Sequence, residues 1–109
     1  MAAFRTGYVY VEHVHAGQIS ETEDGYRFVY DDDYLSREDA RAVSLTLPMR
    51  REPYESTTLF PFFDGLIPEG WLLNVVAHHW KIDRRDRFGL LLVACRDTIG
   101  NVTIQEVRE

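Results

Sequence analysis

Four histidines, a single cysteine, a run of three aspartates and a tryptophan beside a glycine are the residues whose types and spacing could carry chemistry in this 109-residue chain. His13 and His15 alternate within residues 8–14 and just beyond, a β-branched and aromatic run that predicts a strand, so the two share one face. Two histidines at that spacing bind zinc only if a third ligand arrives; the alternative is a pair of surface histidines at a strand end. His78 and His79 are neighbours on a predicted helix and point apart, which is poor metal geometry. His79 reads as partly buried or as a helix-end charge. Asp31-Asp32-Asp33 lacks the alternating oxygen ligands, the central glycine and the distant glutamate of a calcium loop, and reads as a solvated loop. Cys95 has Arg96 beside it but no activating pair, which is the pattern of a structural thiol. The seven glycines are dispersed and form no phosphate-binding pattern. No catalytic group, no cofactor and no metal site is therefore expected.

The unusual stretch is Asp64-Gly65-Leu66-Ile67-Pro68-Glu69-Gly70-Trp71-Leu72-Leu73. Two glycines and a proline bracket apolar residues, and Trp71 stands in the first turn of a predicted helix. Two readings stay open from the residues. Trp71 is a large, rigid anchor for a partner's pocket, or it packs on the chain's own sheet.

The elements that must position these residues follow from periodicity. Residues 8–14 predict a first strand, His15-Ala16-Gly17 a turn, and residues 18–23 a second strand. Asp24-Gly25 is a two-residue hairpin signal, since both types tolerate positive φ, and residues 26–30 supply the returning strand. Residues 36–41 predict a helical turn capped by Ser36. Residues 44–47 alternate and predict a fourth strand, stopped by Pro48. Leu59, Phe60, Phe62, Phe63 and Leu66 suggest a short apolar helix interrupted by Pro61. Pro68 starts a longer helix over residues 69–80, in which Leu72, Val75, Val76 and His79 follow helical spacing. Asp83 caps a third helix over residues 84–95, residues 96–100 turn, and residues 102–107 close with a strand. Strands, then helices, then one strand give an α+β fold. The expected architecture is a mostly antiparallel sheet, made of an N-terminal meander plus a closing C-terminal strand, with about three helices in the second half, as a single domain over residues 1–109.

Composition narrows the function classes. The formal net charge of −6 repels phosphate backbones, so direct nucleic-acid binding is disfavoured. Aromatic residues make up 13% of the chain, more than a small core easily hides, which places some at an interface. One cysteine permits no internal disulfide, and a reducing cytoplasm is the expected location. The N-terminus lacks the apolar core of a signal peptide, and no stretch approaches the roughly 18 apolar residues of a membrane span. The clean start and polar end favour a free-standing domain over a piece of a longer chain.

Several blocks together carry a resemblance. Ser44-Leu45-Thr46-Leu47-Pro48, Phe62-Phe63-Asp64-Gly65-Leu66-Ile67-Pro68-Glu69-Gly70-Trp71-Leu72, Asp86-Arg87-Phe88-Gly89-Leu90-Leu91, and Cys95-Arg96-Asp97-Thr98-Ile99-Gly100 with Val102-Thr103-Ile104 resemble the N-terminal subdomain of HipA-type serine/threonine kinase toxins. The likeness runs along nearly the whole chain, in order. Cys95 stands where the family usually has glycine. The family's kinases carry a long C-terminal part with the phosphate-binding loop, the catalytic aspartate and the metal-binding aspartate, and this chain has no room for them. As a free-standing subdomain it is similar to HipS-type antitoxins of three-gene HipBST systems. That resemblance implies a non-enzymatic chain that binds a HipT-like serine/threonine kinase toxin lacking this subdomain. It also allows a HipB-like DNA-binding protein in a ternary complex. The expected docking residues are Leu66, Ile67, Pro68, Glu69, Gly70, Trp71 and Leu72, with Trp71 projecting into the kinase cleft. Two other classes remain open: a structural or activating subunit that completes the kinase, and a small metal enzyme built on His13 and His15.

Overall fold

The structure is a computed structural model that describes residues 4–94 and 102–106. Among these residues the fold is α+β, as expected. Five strands, Thr6–Val11 (β1), Val14–Glu21 (β2), Tyr26–Tyr30 (β3), Tyr54–Ser56 (β4) and Val102–Glu106 (β5), form one sheet in the order β4-β3-β2-β1-β5. Every neighbouring pair is antiparallel. A helical turn, Asp32–Leu35 (α1), follows the meander. Three helices, Pro61–Asp64 (α2), Gly70–Trp80 (α3) and Arg87–Ala94 (α4), occupy the second half.

One sheet face makes the core. Val9, Val11, Ile19, Phe28, Tyr30, Val102 and Ile104 alternate inward, while Tyr8, Tyr10, Gln18 and Val29 stay half-buried on the other face. Phe63 of α2 meets Phe28 at a ring distance of 5.3 Å. α4 is buried at five consecutive positions, Phe88 to Leu92, because it lies between β5 and the pair α2 and α3. A helix enclosed on several sides must be apolar all round.

The first hairpin differs from expectation. The turn is Glu12-His13, both at positive φ (49° and 70°), and β2 begins at Val14. Two left-handed residues between paired strands make the favoured two-residue hairpin geometry, but Glu-His lacks the Asn-Gly signature that would reveal it. His13 and His15 therefore do not share a strand face: His13 sits in the turn, and His15 packs edge-on against Tyr8 at 5.0 Å. The expected turn at His15-Ala16-Gly17 is continuous strand with a bulge opposite Val9 and Tyr10. The second hairpin is where Asp24-Gly25 placed it, but four residues, 22–25, connect its strands.

The middle of the chain also departs. Asp31 precedes α1, and Asp32 and Asp33 fill its first turn, where carboxylates complement the helix dipole; Ser36 ends that helix and does not cap a later one. Residues 44–47 form a tight turn with one isolated bridge, Ser44 to Leu47, and the fourth strand is Tyr54–Ser56. Three residues are too few for a visible alternation. Pro61 begins α2 instead of interrupting it, since its missing N–H costs nothing at a first helical position.

Arg5 ties the sheet to the helices. Its guanidinium bonds both carboxylate oxygens of Glu21, at 2.7 and 2.9 Å, and both of Asp86, at 2.8 Å each. Asp86 Oδ1 also accepts the Gly89 N–H at 3.1 Å, so Asp86 caps α4. The expected cap, Asp83, accepts the Arg85 N–H instead and shapes the turn before it. A Cβ on Gly89 would stand 2.3 Å from Asp86 Oδ2, which is why this position carries none.

Two predictions follow from these contacts. Replacing Glu12-His13 by Asn-Gly removes the left-handed strain of about 1–2 kcal/mol per residue, so the chemical-denaturation midpoint rises; an unchanged midpoint refutes the strain argument. The Arg5 hydrogen bonds hold the Glu21 and Asp86 carboxyls below their ordinary values of 4.5 and 3.8. Folded-state values below the unfolded ones mean a contribution fully present above about pH 5 and lost as pH falls through the folded values. Urea midpoints at pH 7 and pH 3 should therefore differ less in Arg5→Gln than in the wild type. An equal acid loss in both proteins would exclude the triad as its source.

Candidate docking surface

The surface is built from α2, the connection that follows it, and α3. Arg87, in the first turn of α4, spans this connection. Its Nε donates to Asp64 Oδ1 at 2.8 Å, and its Nη2 reaches the Asp64 carbonyl at 3.4 Å and Glu69 Oε1 at 3.2 Å. Ile67, 3% exposed, plugs the same connection into the core, and Leu66 packs against it half-buried. The two ends of residues 64–69 are thus held to one side chain, and the start of α3 has a defined place.

Gly70 opens α3 with φ at +62°. No atom lies within 4 Å of where its Cβ would be, so the requirement for glycine is conformational and not steric. Leu73 and Ala77, four residues apart, are the buried stripe of α3, with Val76 beside them. The opposite stripe is exposed and still apolar. Trp71 is 75% exposed, Val75 53% and Leu72 44%. Trp71 and Val75 are one helical turn apart, and Leu72 flanks them. Trp80 is 43% exposed at the far end, its ring 5.3 Å from that of His79. His78 and His79 are exposed in the last turn.

The expected docking residues divide accordingly. Glu69, Gly70, Trp71 and Leu72 are exposed, and Pro68 and Leu66 are half-buried. Ile67 is a core residue that supports the surface from beneath. Leu72, Val75 and His79, which share helical spacing, face solvent, while the inward stripe is Leu73 and Ala77. Val75 joins the exposed surface, whereas Trp80, at helical spacing from Leu73 and Ala77, lies on the other side of the helix at its far end. The sequence signal for Val75 was apolar character on two sides of one helix, Leu72 and Val75 as well as Leu73 and Val76. Cys95 and residues 96–100 lie outside the described residues.

Comparison with known proteins is consistent with this geometry. The HipA N-terminal domain family matches residues 7–105, and the chain belongs to that family. A protein of Haemophilus influenzae is 37% identical over 105 residues, covering 96% of this chain and 95% of that protein. A Sinorhizobium fredii protein named as a kinase, Y4mE, is 33% identical over 76 residues; the match takes in 69% of this chain but 18% of Y4mE. A solved structure, the N-terminal domain of HipA toxin, superposes with a TM-score of 0.73 at 27% identity, over all of this chain and 98% of that one. The likeness is to the N-terminal domain and does not extend to a kinase catalytic part.

Gly70→Ala should destabilise the fold by about 1–2 kcal/mol, the cost of a left-handed residue with a Cβ. Gly70→Asn should recover part of it, because asparagine tolerates that region. Equal losses for the two variants in urea unfolding would show that the backbone conformation is not the cause.

Proposed function

We propose that this chain is a HipS-type antitoxin that binds and inhibits a HipT-type serine/threonine kinase toxin. It supplies in trans the N-terminal subdomain that such a kinase lacks, and its helix α3 obstructs the active site. The observation that supports this reading is Trp71, three-quarters exposed at the start of a helix whose outer face is apolar although the inner face already fills the core. Large apolar surface of that kind marks an interface, and tryptophan is the residue type most enriched among binding hot spots. Arg87 and Gly70 fix the direction in which Trp71 leaves the surface, which lowers the ordering cost of docking. A wedge at the cleft suffices for inhibition, because phosphoryl transfer needs several groups placed together.

The chain itself is read as non-catalytic and cytoplasmic. A HipB-like DNA-binding protein completes a ternary complex, and the net charge of −6 leaves operator contact to that member.

One observation favours a second reading. In the kinase-named Y4mE the matching segment is part of a much longer chain, so this domain can be a completing, non-inhibitory subunit of a kinase. The experiment separating the two is phosphotransfer by a HipT-type kinase alone, with this protein, and with Trp71→Ala. Inhibition is expected from the wild type. Truncation of Trp71 should weaken it by at least about 2 kcal/mol, roughly thirtyfold. Unchanged or increased phosphotransfer with the wild-type protein would select the completing subunit.

A further inference from the structure

We infer that the cleft at the C-terminal end of α3, lined by Asn74, His78, Lys81 and Arg84, receives a carboxylate-bearing segment of the same kinase; this rests on the function proposed above. The cleft has a volume of about 440 Å³, and Ala77 and Ile82 complete its lining. Ala77 is buried and Ile82 half-buried, so they form its floor, while the four polar side chains are exposed around it.

The cleft is continuous with the face that carries Trp71. Asn74 follows Trp71 by three residues and His78 follows Asn74 by four, so the three stand in one row along α3. A partner seated on Trp71 therefore lies against the same flank of the helix.

The charge in the cleft is of one sign. Neither Lys81 nor Arg84 has an ion-pair partner among the described residues. Residues 70–82 hold no acidic side chain. Asp83, the next carboxylate along the chain, is engaged by Arg85, through its N–H at 2.8 Å and its guanidinium at 3.2 Å. The negative end of the helix dipole accounts for a lysine at this helix end. It does not account for Arg84, which lies beyond the helix, or for the gathering of both cations around one concavity. The Asn74 amide and the His78 imidazole add N–H donors to the same space.

An anion is the complement of such a lining. The negative helix end opposes a phosphate dianion more strongly than singly charged carboxylates, and Lys81 and Arg84, three residues apart, suit carboxylates spaced along a segment of chain. The chain's net charge of −6 repels acidic surfaces elsewhere, so the cleft also sets the orientation of approach.

The test is the kinetics of association between a HipT-type kinase and the wild type, Arg84→Glu, Lys81→Gln and Arg51→Glu across a range of salt concentrations, with the melting temperature of each variant measured alone. Arg51 lines a different cavity, with Asp31 and Asp32, and its variant is the control for net charge. Arg84→Glu should bind at least about tenfold more weakly, associate more slowly and show a flatter salt dependence, at an unchanged melting temperature. Lys81→Gln should shift in the same direction by less, and Arg51→Glu should stay near the wild type. Equal behaviour of Arg84→Glu and Arg51→Glu overturns the cleft while leaving the proposed function standing. Loss of the Arg84 effect when the kinase is first treated with phosphatase overturns the carboxylates in favour of a phosphate. No binding by the wild type overturns both this inference and the function on which it rests.

Discussion

The start of α4 is where the sheet and the helices are joined, through two arginines that each bridge a pair of carboxylates. Arg5 connects the ends of β1 and β2 to Asp86, and Asp86 in turn caps α4 through the Gly89 N–H. Arg87 connects the same helix end to Asp64 and Glu69, on either side of the connection that precedes α3. Neither cluster is fully buried, and exposed ion pairs contribute little apiece. Their effect here is geometric: one helix terminus is held to two strands on one side and to two helices on the other. The run Asp86-Arg87-Phe88-Gly89 reads as a compact statement of this joint. It contains the cap, the clamp, a core ring and the one position where a Cβ would collide with the cap.

That joint explains how a small domain tolerates apolar surface. α3 spends Leu73, Ala77 and part of Val76 on the core and leaves Trp71, Leu72 and Val75 outside. Exposed apolar groups do not destabilise a fold directly, since they are exposed in the unfolded chain as well. They make the folded chain a partner for another surface. The buried neighbours hold the backbone of α3, and the exposed side chains then present themselves without further ordering of that backbone.

Membership of the HipA N-terminal domain family was legible because several blocks occur in order, and most of their residues have separate physical roles in the fold. Phe63, Phe88, Leu90 and Leu91 are core, Asp64 and Arg87 are paired, and Gly70 takes a left-handed backbone. The candidate surface was legible only in part. Trp71 and Leu72 were visible as apolar residues at a helix start, but Ile67 has the same character and lies in the core. Burial depends on which neighbours reach a position, and residue type carries no record of that.

By itself, the sequence determined the alternation of Tyr26–Tyr30, the helix Gly70–Trp80 after its proline, the closing strand and hence the α+β class. These are local matters, decided by side-chain period and by the dihedral limits of proline and glycine. It also determined that too many aromatics were present for the core to hide. Only the tertiary structure decided that Glu12-His13 turns the first hairpin, because the pairing of β1 with β2 forces left-handed backbone on residues that do not advertise it. Only the tertiary structure made Tyr54–Ser56 a strand, through its partner β3, and turned residues 44–47 from an apparent strand into a tight turn. It likewise chose which face of α3 is buried. Both faces carry apolar residues; the spacing picked out Leu72, Val75, Val76 and His79, but contact with α4 goes with burial of Leu73 and Ala77.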